Sequence, residues 1–203
     1  MNQTIRRSYQ WLLFALAISG FLVDQASKYG VFRVLEQEDS DFAKRDLIPG
    51  VFQFHVEFNS EEPPCDCVFV RMNSEKTPHV NKGALWGLGG NQAQGNRIFT
   101  IASGLAILGI SLWSFRRNVR EDRLLCISLG LIMGGALGNM YDRIVFQGVR
   151  DFMHFYAIRW PVFNFADCCL VCGAILLLIQ SWFTGKSEVS TTAPQVAPTS
   201  PTE

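Results

Sequence analysis

No H-E-x-x-H and no G-x-S-x-G segment occurs in this chain, which removes two common signatures of zinc-dependent and serine hydrolysis. Histidine is scarce, with 3 in 203 residues. His55, His79 and His154 are scattered along the sequence, so they give no metal-ligand spacing, and no metal or other cofactor is expected. Net charge is lacking too: 18 Lys+Arg balance 18 Asp+Glu. A neutral chain has no general attraction to nucleic acid or to acidic partners. There is no internal repeat between its two halves, which tells against the architecture of many small transporters.

What the chain has in quantity is apolar residues, 48% of the total, gathered in blocks rather than spread in short periodic runs. Four blocks, 11–32, 98–115, 124–146 and 161–183, each approach the roughly 20 residues that cross a hydrocarbon core as helix. They lack strand alternation, and inside lipid only a helix or a closed barrel satisfies its own backbone. Arg6 and Arg7 before the apolar run 11–23 imitate a secretory leader. That run continues past Asp24, however, and three further blocks follow, so it is read as a first span. The expected fold is an all-α membrane protein with four transmembrane helices in a single domain, 1–184. The Ser-, Thr- and Pro-rich residues 185–203 read as a disordered tail.

Orientation follows from the basic residues. Arg6 and Arg7 precede the first span, and Arg116, Arg117, Arg120 and Arg123 fill the short connection between the second and third. The positive-inside rule puts both on the cytoplasmic side, with both termini. The long connection, 34–96, and the short one before the fourth span then lie outside. In "VFQFHVEFN" (51–59) apolar and polar residues alternate, as in a half-buried strand; "CVFVRM" (67–72) is its expected partner. A small extracytoplasmic β-sheet between helices one and two is therefore anticipated, with His55 exposed on its polar side.

With this orientation Asp24, Asn139, Asp142, Asn164 and Asp167 all come to the outer half of the membrane. Asn139 and Asp142 are three residues apart, as are Asn164 and Asp167, so each pair shares a helix face. Gly130, Gly134 and Gly138 form a row of small residues that Asp142 continues, a face suited to close helix approach. Ionisable residues at this depth are functional candidates with partners to be named; the plainer alternative is that Asp24–Lys28 and Asp142–Arg143 are structural ion pairs. Asp151 and Asp167 differ, because neither has a basic partner at helical spacing. Two carboxyl groups brought together at a low-dielectric rim share one proton. The charged member can activate a water while the protonated one polarises a carbonyl and protonates the leaving amine. Asn139 and Asn164 can hold the carboxylates or donate to an oxyanion. The chemistry expected is amide hydrolysis at the outer membrane surface. A proton-relay transporter is the rival reading, but a relay should cross the membrane and these groups collect at one face.

"VDQASK" (23–28), "NKGALWG" (81–87), "GGALGNMYDR" (134–143), "VRDF" (149–152) and "PVFNFAD" (161–167) resemble, in order, the motifs of the bacterial signal peptidase II family. The resemblance covers about residues 9–184. It implies an aspartic endopeptidase of the bacterial cytoplasmic membrane that cuts before the diacylglyceryl-cysteine of lipid-modified prolipoproteins. The expected partners are that substrate and membrane lipids, the expected state is a monomer, and a carboxyl pair of this kind needs no metal. Carried over position by position, the resemblance assigns the catalytic pair to Asp151 and Asp167. Asp24, Asn81, Asn139, Asp142, Arg143 and Asn164 match positions that shape the site or position substrate. Three departures stand out: Arg150 replaces the usual aliphatic residue beside Asp151, Cys168 replaces a small hydroxyl residue, and 60–79 extend the outer loop. Arg150 would act on Asp151 or reach lipid headgroups. Cys65 and Cys67 face an oxidising compartment but are too close for an easy bond, and Cys169 and Cys172 read as packing residues. An inactive relative would keep the same motifs.

Overall fold

The computed structural model describes residues 8–38, 40–59, 77–83, 92–158 and 160–189. Four long helices dominate them: α1 (Gln10–Leu35), α2 (Gln92–Ser114), α4 (Arg123–Val145) and α5 (Phe165–Val189), with a single turn, α3 (Arg117–Arg120), between α2 and α4. By length and composition α2, α4 and α5 are apolar enough to cross a membrane. Asp24, Gln25 and Lys28 dilute the apolar content of α1, which is not among them. The outward faces fit lipid: Ile101, Leu105, Leu108 and Leu112 of α2, Ile18 and Leu22 of α1, and Leu178 of α5 are all exposed.

The central helix is α4, mostly buried, with α1 on one face and α5 on another. Its glycines set the spacing, because lipid gives helices no hydrophobic drive to associate and close van der Waals approach must supply the attraction. A Cβ on Gly130 would lie 2.7 Å from the Leu13 carbonyl oxygen, and one on Gly134 3.0 Å from that of Ala17. The anticipated row of small residues is thus the seat of α1. Gly135 lies against the backbone of Ala166, and a Cβ on Gly173 of α5 would lie 2.8 Å from the Ser128 carbonyl. At the end of α4 that carries the arginine-rich turn, Leu13, Ala17, Val119, Leu125, Cys126, Leu129 and Met133 close an apolar core. Asp122 caps α4 through the Leu125 N–H and also accepts from Gln180 of α5.

The other end carries an antiparallel sheet. β1 (Phe42–Ile48) and β2 (Phe52–Asn59) form a hairpin turned by Pro49 and Gly50. The Val51 N–H bonds the Ile48 carbonyl and Gly50 has φ +80°, the geometry of a type II turn, with proline and then glycine at its centre. The far edge of β2 takes two short strands, β3 (Thr77–Pro78) and β4 (Met153–Phe155). The expected partner at 67–72 lies outside the described residues, as do Cys65 and Cys67. Alternation in β2 turns Phe54, Val56 and Phe58 toward Phe32, Leu35 and Phe152, tying the sheet to the end of α1. A 3-10 turn at Tyr156–Ile158 follows β4. Residues 161–164, expected as the start of the last span, precede α5; Phe163 bridges Met153 instead. At its other end α5 continues through Val189, beyond the expected start of the tail at 185.

Gly130→Val places methyls against the α1 backbone, which cannot yield without parting the helices. A loss of about 1–3 kcal/mol is expected, read as a lower thermal midpoint of the detergent-solubilised protein.

Candidate active site

The start of α5 organises the site. Asn164 and Asp167 form a reciprocal cap: the Asn164 Oδ1 accepts from the Asp167 N–H and the Asp167 Oδ2 from the Asn164 N–H, each at 3.1 Å. This is the capping-box arrangement with a shorter acid in the second position. It fixes the Asp167 side chain at the helix N-terminus, where its Oδ1 also accepts from Asn139 Nδ2 at 2.8 Å. The Asn164 amide turns outward and donates to the Asn139 Oδ1 at 3.1 Å and to the Asp151 Oδ1 at 2.7 Å. One buried asparagine therefore touches both members of the Asp151–Asp167 pair.

Asp151 reaches the site along extended backbone between α4 and β4. Val149 pairs with Asn81 through two backbone hydrogen bonds of 2.8 and 2.9 Å. The Asn81 Nδ2 donates to the Asp151 Oδ2 at 3.0 Å, while its Oδ1 accepts from the Gly83 N–H. Gly83 has φ +86° and faces the Phe99 ring, so glycine is required for the turn that aims Asn81. The rest of "NKGALWG", 84–87, lies outside the described residues. Burial first, and then the charge of Asp167, push the Asp151 carboxyl up to about 6. Among the described residues no cation forms an ion pair with Asp151 or Asp167.

Beneath the pair lies a separate charged layer, fully excluded from solvent: Asp24, Lys28, Asp142 and Arg150. Lys28 Nζ is 2.8 Å from Asp24 and 3.2 Å from Asp142. Arg150 Nη2 is 2.9 Å from the Asp142 Oδ1, and the Arg150 backbone N–H donates to Oδ2 at 2.9 Å. Gln25 joins both ends, donating to Asp24 and accepting from Arg150. The Arg150 guanidinium also sits over the Tyr29 and Phe146 rings, 4.3 and 4.0 Å from their centroids. Two acids and two bases neutralise one another, the condition for burying such charge. Asp24 has one further duty: its Oδ1 accepts from the Ala166 N–H, an otherwise unpaired donor in the first turn of α5.

Several expectations are corrected here. Asp142 pairs with Lys28 and Arg150 rather than Arg143, because neighbours on a helix diverge by about 100°. Arg150 neither contacts lipid headgroups nor forms an ion pair with Asp151; it turns back into the charged layer. Arg143 instead lines an open cleft of about 590 Å³ with Asn81, Asn139, Asp151 and Asp167, its guanidinium 5.3 Å from the Phe99 ring centroid. The rest of the wall is largely apolar: Phe99, Trp160, Phe163 and Val171, with Cys168 and Cys172. Cys169 packs beside Gly20 as expected of a packing residue, whereas Cys172 is exposed in the cleft wall. His55 is only 14% exposed and bonds Glu57. The scattered histidines in fact converge, for His79 also meets Glu57 and His154 stacks edge-on against His55. Sequence reasoning missed Gln25 and the structural role of Arg150; an arginine and a glutamine inside apolar motifs were the available signal.

Three helices apolar and long enough to cross a membrane, with an apolar cleft between them that holds the Asp151 and Asp167 carboxyls, define a membrane protein with a candidate acid–base site. Residues 69–183 match the sequence model described as signal peptidase (SPase) II, and the chain belongs to that family. Its fold is similar to two solved structures, each described as a bacterial membrane enzyme studied by the in meso method. The one at 2.3 Å resolution has 21% sequence identity and a TM-score of 0.65, covering 95% of this chain and 98% of the other. The one at 1.9 Å has 21% identity and a TM-score of 0.63, covering 86% and 95%.

Two outcomes are expected. Arg150→Met leaves Asp142 short of a buried partner and should cost about 3–5 kcal/mol, with Asp142→Asn in the same background recovering part of the lost thermal stability. Asp167→Asn removes the negative charge that helps to raise Asp151, so the Asp151 midpoint should fall. It stays above the ordinary 3.8 because burial, the larger cause, remains; carbon-13 NMR of labelled Asp151 across pH measures both.

Proposed function

We propose that this protein is an aspartic endopeptidase that removes signal peptides from diacylglyceryl-modified prolipoproteins at the outer face of the bacterial cytoplasmic membrane. One observation carries the reading. Asp151 and Asp167 are bridged by Asn164 in an open apolar cleft, while Asp24 and Asp142 are neutralised in a sealed layer below. Only the first two carboxyl groups are free to exchange protons with a substrate.

In this mechanism Asp151 keeps the shared proton, consistent with its carboxyl being pushed up to about 6 by burial and by Asp167. Ionised Asp167, held by Asn139 and the Asn164 N–H, takes a proton from the attacking water. Asp151 polarises the scissile carbonyl and then protonates the departing amine, so acid and base both come from side chains. Asn81 and Asn164 fix the Asp151 carboxyl, and Arg143 stands in the same cleft for the developing negative charge or a lipid ester oxygen. Phe99, Trp160, Phe163 and Val171 provide the apolar wall that a signal peptide and acyl chains require.

The same reading takes α1 as a fourth span, with its charges turned inward. The arginine-rich α3 end is cytoplasmic by the positive-inside rule, which leaves the sheet and the carboxyl pair outside with both termini inside. The catalytic unit acts as a monomer, its partners the lipoprotein precursor and the surrounding lipid.

A gel-shift cleavage assay in lipid tests this, using a diacylglyceryl-modified prolipoprotein and its unlipidated form. Wild type should cut only the lipidated substrate. Asp151→Asn and Asp167→Asn should each lose at least about a thousandfold in rate while remaining folded. Cleavage that survives both substitutions would sink the mechanism.

A further inference from the structure

A second cavity, of about 380 Å³, lies behind the catalytic cleft and shares Asn81, Asp151, Pro161 and Val162 with it. Its remaining described lining is His55, Glu57 and His79, all on the sheet side. The two cavities differ in kind. The first is walled by aromatic and aliphatic side chains of α2, α5 and the segment before α5; the second is walled by the polar face of β2. Since Asp151 borders both, a peptide bond held at Asp151 has room for chain on either side. The apolar cleft suits the lipid-embedded signal peptide, and the polar cavity suits the water-soluble chain that continues after the modified cysteine.

The chemistry of the second cavity is specific. The Glu57 carboxylate is 40% exposed, with the His55 Nε2 3.2 Å from one oxygen and the His79 Nδ1 3.6 Å from the other. The His55 Nε2 holds one carboxylate oxygen by a hydrogen bond along the strand, while its Nδ1 is buried and has no partner among the described residues, so the open hydrogen-bonding capacity of the cavity is that of the Glu57 carboxylate itself. Lys44 faces His55 across the hairpin but does not line the cavity; among the described lining residues there is no lysine or arginine, and the acids are Glu57 and Asp151.

We infer that this cavity is a subsite for the first polar residues of the mature lipoprotein chain, and that Glu57 makes it favour a basic or hydrogen-bond-donating side chain over an acidic one. The inference rests on the peptidase reading above and adds to it a selectivity on the mature side of the cut. A carboxylate at this exposure discriminates by charge modestly, through the difference between attraction and repulsion rather than through a single strong ion pair.

The test uses the full-length protein in lipid and diacylglyceryl-modified prolipoprotein peptides. These carry Lys, Ser or Asp at the second, or separately the third, residue of the mature chain. In wild type kcat/KM should favour Lys over Asp by at least about threefold at one of these positions. Glu57→Gln should bring that ratio close to one, and Glu57→Lys should invert it. A ratio that is the same in all three proteins would overturn the subsite while leaving the peptidase reading standing. Failure of wild type to cut any of the substrates would overturn the peptidase reading and the subsite with it. A fall in kcat/KM equal for every substrate would assign Glu57 a purely structural role, which also overturns the inference.

Discussion

The architecture depends on neutralising charge inside the helix bundle. Asp24, Lys28, Asp142 and Arg150 are each fully buried, and isolation of any one of them would cost several kcal/mol. Their mutual arrangement therefore constrains the rest: α1 must present Asp24 and Lys28 to α4 in one register, and the chain after α4 must return Arg150 to Asp142. The glycine row on α4 permits this approach, since a side chain at Gly138 would occupy the space of the Asp24 carboxylate. The layer is also directional. Asp24 caps the α5 backbone at Ala166, and Lys28 and Asn164 both touch the Asn139 oxygen. Through that oxygen the buried layer is coupled to the two carboxyls above it.

The contrast between the two sets of acids gives the site its chemical sense. In the lower layer each carboxylate has a cation within salt-bridge distance, so its charge is committed. In the upper pair each carboxyl is held by amides and backbone N–H groups, which orient it without supplying a compensating positive charge. Neutral donors keep the geometry and leave the proton balance between the two acids adjustable, which acid–base chemistry requires.

Much of this was legible in the sequence. The absence of a basic residue at helical spacing from Asp151 and Asp167 separated them from Asp24, whose Lys28 lies one turn on. The row from Gly130 to Gly138 pointed to the face that α1 occupies. Directions perpendicular to the chain were harder to read. Along extended backbone successive side chains point to opposite faces, so Arg150 turns inward to Asp142 while Asp151 turns to the cleft. Adjacency in sequence suggested instead that Arg150 acts on Asp151 or reaches lipid headgroups. The convergence of His55, His79 and His154 depends on the register of β2 against β3 and β4, strands far apart in the chain, and no local pattern encodes it. Family resemblance supplied the roles of Asn81 and Arg143, which spacing alone would not have picked out.

The bond from Ala166 to Asp24 joins the last helix to the first. In chain order α1 and α4 precede α5, so until α5 is made the Asp24 Oδ1 lacks the Ala166 N–H, and Asn139 lacks both the Asn164 amide and the Asp167 carboxylate. The upper pair is therefore the last part of the site to form, because Asp151 meets its Asn164 donor only when α5 packs against α4.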